Sequence, residues 1–230
     1  MLTVPIFIVR LWVPDRPGAL GAVASRVGAV RGDVVGIDIL ERGGGRAIDE
    51  LVVELPDADL VSLLVSEVSE VDGVDVEDVR LAPEHLLDPR LDALETAEVL
   101  VAADTLTGLL ADLVARAHHD FEADWATVVD CDDRVLRALQ GRPPPPAWLC
   151  AFVDGGQSSA MVASGECGPD DVAWSVLAGT RLAVVLGRRG RPFRARERRQ
   201  LGALVRIAEH RAVELGAAVS AAPALTSRGG

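Results

Sequence analysis

The chain has 230 residues, 49% of them hydrophobic but only 3% aromatic, and a net charge of −12, a length that suits two domains of about 80–130 residues with aliphatic cores. It contains no Lys, Asn or Tyr, which excludes lysine Schiff-base chemistry, lysine-bearing phosphate loops and lysine-dependent kinase arrangements. The acidic balance argues against nucleic acid as a partner, because phosphate neutralisation supplies most of the affinity in such complexes.

Ile6–Val13 alternates, with Phe7, Val9, Leu11 and Val13 on one face and Ile6, Ile8, Arg10 and Trp12 on the other, and reads as a strand. Asp15-Arg16-Pro17-Gly18-Ala19-Leu20 then turns the chain into a helix over 17–31, whose Leu20, Val23, Val27 and Val30 share a stripe. Pro17 suits a first helical position, and Gly18 lets backbone N–H groups approach a small anion at the positive helix end. Val34–Glu41 and Ala47–Leu55 form two strands joined by a flexible glycine tip. A second helix follows Pro56-Asp57, with Leu60, Leu64, Val68 and Val71 on one side, and Val74–Leu81 supplies a fourth strand. The order βαββαβ gives an α+β, ferredoxin-like antiparallel sheet with both helices on one face. The third strand has three acids and no aromatic, so base stacking of the RNA-recognition kind is excluded.

Residues 83–91 read as a linker. Beyond them a helical stripe runs from Leu91 to His119, interrupted near Thr105–Gly108. Strands at 125–129 and 134–140, a proline spacer at 143–146, a short helix around 148–153, strands at 172–177 and 180–187, and a helix over 194–215 complete the second unit, and 217–230 reads as a frayed tail.

The βαββαβ order with D-R-P-G-A-L after the first strand resembles an ACT domain, the amino-acid-binding regulatory module of many metabolic enzymes, over residues 4–82 of a domain set at 1–82. That resemblance implies a ligand held at a dimer interface by Asp15, Arg16, Pro17, Gly18, Ala19 and Leu20, with Asp33 in place of the usual asparagine near the second strand, Asp38 further on, and one or the other available to an amine. Arg16 contributes charge or faces solvent. Leu182–Arg188 followed by Arg191-Pro192-Phe193 and the Glu197-bearing helix is similar to the end of a GAF domain, so 92–216 is expected to be a GAF-like α/β unit with an antiparallel sheet. The N-K-F-D-E pattern of cyclic-nucleotide binding is absent. Together the two resemblances imply a non-catalytic regulator that binds an amino acid or similar carboxylate as a homodimer and acts on a partner metabolic enzyme. The alternative is an interaction protein with decayed ligand sites. No cofactor is implied.

Other chemistry-bearing residues read as structural. His118, His119, Asp120, Cys131, Asp132 and Asp133 match no zinc spacing, and adjacent histidines on a helix diverge by about 100°. Cys150 sits in an apolar context as an inert thiol, Cys167 is the better redox candidate, and no G-x-S-x-G elbow occurs. Residues 1–82 carry 15 acids against 7 arginines, whereas 188–211 carry 9 arginines against 2 acids, read as a solvated helix face. Three cysteines without a C-x-x-C pair suit a reducing compartment. With neither an 18-residue apolar run nor a basic lead-in to Met1–Val9, a cytoplasmic, non-membrane chain is expected, from a GC-rich bacterial genome.

Overall fold

The structure is a computed structural model that describes residues 4–83, 89–158 and 171–221. It is mixed α and β, with two four-stranded antiparallel sheets. The described residues fall into two compact units, the first ending at Pro89 and the second beginning at Arg90, with Arg194–Glu197 grouped with the first.

In the first unit the strands are β1 (Ile6–Pro14), β2 (Asp33–Gly43), β3 (Arg46–Glu54) and β4 (Asp75–Leu81), and the helices are α1 (Ala19–Ala29) and α2 (Val61–Ser69). The sheet order is β2-β3-β1-β4, so the crossover from β1 to β2 carries α1 over β3. Phe7, Val9, Leu11 and Val13 of β1 form the core with Leu51 and Val53 of β3, Val23 and Val27 of α1, and Leu64 and Val68 of α2. On the opposite face Arg10 and Arg80 both pair with Glu50, at 2.9 and 3.1 Å. Burial would raise the Glu50 carboxyl, but the two guanidinium groups hold it below the ordinary glutamate value.

Two helix starts differ from expectation. The first helix begins at Ala19, two residues beyond Pro17, because Pro17 and Gly18 are spent on the turn before it. The second opens as a 3-10 turn over Ala58–Leu60, where the Asp57 carboxylate accepts the Asp59 N–H at 2.9 Å before the α-helix starts at Val61.

The second unit contains α3 (Pro89–Ala102), α4 (Leu106–Asp120), β5 (Trp125–Asp130), β6 (Val135–Gln140), α5 (Pro146–Gln157), β7 (Val172–Val176), β8 (Leu182–Gly187) and, from Arg198 onward, α6 (Ala195–Ala221). Its sheet has the order β6-β5-β8-β7. Ala126, Val128, Val184 and Leu186 pack on one face with Leu109, Leu113 and Ala117 of α4 and Leu201, Val205 and Ala208 of α6. Val129, Ala183 and Val185 pack on the other with Leu149, Cys150 and Val153 of α5. The break between α3 and α4 falls where Thr105 accepts the Gly108 N–H at 3.1 Å, a helix N-cap. The fifth helix is longer than the 148–153 expected, since Pro146 can open a helix without losing a bond. The third starts within the expected linker for the same reason, and α6 runs on to Ala221, into the stretch expected to fray.

Candidate ligand site at the first strand-to-helix turn

Arg16–Ala19 is a β-turn of type II form. The Ala19 N–H donates to the Arg16 carbonyl at 3.3 Å, and Gly18 takes φ 87° and ψ −15°, the left-handed conformation that a Pro-Gly pair supplies. The Ala22 N–H then makes the first intrahelical bond, to Gly18 O at 3.0 Å, and no side chain caps the helix. The Leu20 and Gly21 N–H groups therefore stand at the positive helix end with no carbonyl four residues back to receive them. Asp15, Arg16, Pro17 and Gly18 are exposed, Leu20 is half-buried, and Ala19 is buried in the core.

The turn is tied to the β2–β3 hairpin. Asp15 N–H donates to Gly45 O at 2.9 Å, and Arg46 reaches Gly73 O at 3.0 Å and Asp75 at 2.6 Å while lying over the Trp12 ring. These contacts hold the end of β1, the hairpin tip and the start of β4 together.

Asp33 and Asp38 are not brought to this turn. Asp33 is level with Glu54 and Ile6, whereas the turn follows Pro14, which is level with Arg46 and Gly43. Eight steps along β1 at about 3.3 Å each separate the two ends by roughly 26 Å. Asp38 is in register with Glu50 and Arg10, on the face of the sheet away from α1.

A residue that sequence reasoning missed lies under α1 instead. Asp49 is level with Leu11 and therefore on the helix-covered face. Only 4% of it is exposed, and its Oδ1 has no hydrogen-bond partner among the described residues. Burial pushes its carboxyl above the ordinary aspartate value, Arg42 opposes this, and Asp15 adds to it.

The other candidates form no site. Among the described residues no group of three or more His, Cys, Asp and Glu could hold a metal. Asp120 accepts the Thr96 hydroxyl at 2.8 Å. Asp130 Oδ1 accepts the N–H groups of Asp132 and Asp133 and closes a turn around Cys131. Cys131 and Cys150 are buried side by side, and burial together with the neighbouring thiol pushes Cys131 up to about 12, so it is no nucleophile at neutral pH. Cys167 lies outside the described residues. A cleft of about 350 Å³ in the second unit is flanked by Arg137 and Arg181, which already pair with Asp130 and Asp133 and with Asp132 and Asp154 respectively.

The basic segment is only in part the solvated face expected: Arg189, Arg199 and Arg206 are exposed, but Arg188 and Arg198 are buried. Arg188 is 3% exposed and donates to the carbonyls of Phe121, Arg191 and Pro192 at 2.8–3.0 Å while lying over the Phe193 ring. Arg198 is also buried and donates to Val172 O at 2.8 Å. Guanidinium groups satisfy these loop and edge-strand carbonyls because they spread several donors over one plane.

No protein-family model matches the chain, and no curated protein matches it. Among solved structures, the chain is similar to one described as an unknown protein from Galdieria sulphuraria, with 15% identity, a TM-score of 0.33, and coverage of 90% of this chain and 94% of that one. No described helix is long and apolar enough to cross a membrane.

Proposed function

We propose that this chain is a non-catalytic regulatory protein in which an ACT-like unit binds a small carboxylate, an amino acid or a close analogue, and a GAF-like unit accompanies it. The observation that carries the reading is the uncapped start of α1 behind an exposed Pro-Gly turn, where backbone N–H groups and the helix dipole suit a carboxylate. The output is exerted on a partner metabolic enzyme.

A homodimer fits the edge of the first sheet. The edge strand β2 is eleven residues long, with Val35 50% and Ile37 47% exposed and Ile39 exposed beside them; a long apolar edge is a template for pairing with another strand. Antiparallel pairing of two β2 edges brings these apolar side chains of the two copies beside one another. Ile37→Glu is then expected to weaken the dimer by about tenfold or more, because it places like charges across the two-fold. Sedimentation equilibrium measures this, and an unchanged dimer would place the interface elsewhere. The same edge favours the second reading, an interaction protein that dimerises without a ligand.

Thermal melting with the twenty L-amino acids and their 2-hydroxy-acid counterparts separates the two readings. A ligand at about 100 times its Kd adds roughly 2.7 kcal/mol of stability, and the resulting rise in Tm is expected to disappear in Gly18→Val. No rise with any compound, or a rise that survives the substitution, rules out a carboxylate site at this turn.

A further inference from the structure

We infer that Asp49 is the ammonium acceptor of the α1 site, so that the ligand is an amino acid and not its deaminated or hydroxylated counterpart. The inference rests on the carboxylate site proposed above and adds its second pole.

Three observations carry it. Asp49 sits on β3 level with Leu11, on the face over which α1 crosses, and Leu11 shares a core with Ala19, the first residue of that helix. Its register with Leu11 puts it three residues from Arg46, which is level with Pro14, and so toward the end of the sheet where the turn and the hairpin tip meet. Its Oδ1 is buried with no hydrogen-bond partner among the described residues. A buried carboxylate oxygen without a donor is costly, and native proteins rarely leave one so. An ammonium group supplies both charge and donors.

The juxtaposition suits a zwitterion. First-turn N–H groups of α1 attract the carboxylate, and Asp49 attracts the ammonium group, with Arg42 opposing and Asp15 supporting the negative potential there. Ile39, level with Asp49 on the neighbouring strand and partly exposed, offers an apolar surface to the side chain. Asp33 and Asp38 have no part in this set within one chain.

Isothermal titration of the full-length protein with the best-binding L-amino acid and with its 2-hydroxy counterpart, in which hydroxyl replaces ammonium, tests the assignment. The parent chain is expected to prefer the amino acid by about tenfold or more, and Asp49→Asn to lose about that factor for the amino acid while binding the hydroxy acid as before. Asp49→Asn removes a buried charge and keeps the side-chain shape, so its melting temperature is expected to be no lower than the parent's. Equal affinity of the parent chain for the two compounds overturns the role of Asp49 and leaves the carboxylate site standing, a result that needs no variant to fold. Unchanged amino-acid affinity in Asp49→Asn does the same. Failure of every amino acid and hydroxy acid to bind removes both.

Discussion

Arg188→Met is expected to lower the stability of the second unit by about 4 kcal/mol, because it takes the donors of a buried guanidinium away from three carbonyls. Arg188 follows β8 and gathers Phe121 O at the end of α4 with Arg191 O and Pro192 O in the connection to α6. Its own N–H is bonded to Asp171 O at 3.1 Å, next to β7. One side chain thus ties α4 to the loop that leads into α6. Methionine preserves the stem and its packing on Phe193 but supplies no donor. Lysine recovers little, since a single ammonium cannot reproduce a planar fork. Urea unfolding followed by tryptophan fluorescence reports mainly on this unit, because Trp125, Trp148 and Trp174 belong to it and only Trp12 to the other. The midpoint should fall at unchanged slope, and a loss below about 1 kcal/mol would show that water replaces the guanidinium at these carbonyls.

Gly141→Ala is expected to cost about 3 kcal/mol or more, by two effects that act together. Gly141 follows β6 at φ 68°, a conformation that L side chains avoid, and a Cβ there would stand 2.2 Å from Asp124 O and 3.0 Å from Trp125 Cα. The obstacle is backbone at the start of β5, already fixed by the bond from Asp124 N–H to Gly187 O at 2.8 Å, so it cannot swing aside as a side chain would. Gly44→Ala separates the contributions. Its φ is 60° but no atom lies within 4 Å of the added carbon, so it should cost only about 1 kcal/mol. Equal losses for the two variants would mean that the β6 turn relaxes around the methyl group.

Much of the first unit was readable because its signals are local. The alternation of Ile6–Val13 specifies a strand with Phe7, Val9, Leu11 and Val13 on one face, and that face meets the helices. Pro17-Gly18 specifies the turn, though the helix begins after the pair, since the same φ preference serves a type II turn as well as a first helical position. Relations between strands were not local and were not readable. Asp49 shares its face of Ala47–Leu55 with Leu51, Val53 and Leu55, against Glu50 and Glu54 on the other, so its side of the sheet was legible, but its place level with Leu11 follows only from strand pairing. Asp33 and Asp38 were set beside the turn by the family resemblance, yet register within the chain sends one to the far end of the sheet and the other to the far face. The second unit kept its element order, but nothing local distinguished Arg188 and Arg198 from the exposed arginines around them. Their burial depends on carbonyls contributed by Phe121 and Val172 from distant parts of the chain.

The ties described above, from Arg46 at the hairpin to Arg188 beneath the α6 connection, are made by guanidinium groups, which do not deprotonate in folded proteins. The chain has no lysine and no tyrosine to titrate, and the buried Cys131 thiol is pushed up to about 12. That thiol stays protonated in the folded chain but ionises in the unfolded one above its ordinary value of about 8.5, so stability is expected to fall as pH rises from about 9 toward 12, while the guanidinium ties keep their charge throughout. Base therefore acts on this fold through a buried thiol and not through the guanidinium ties.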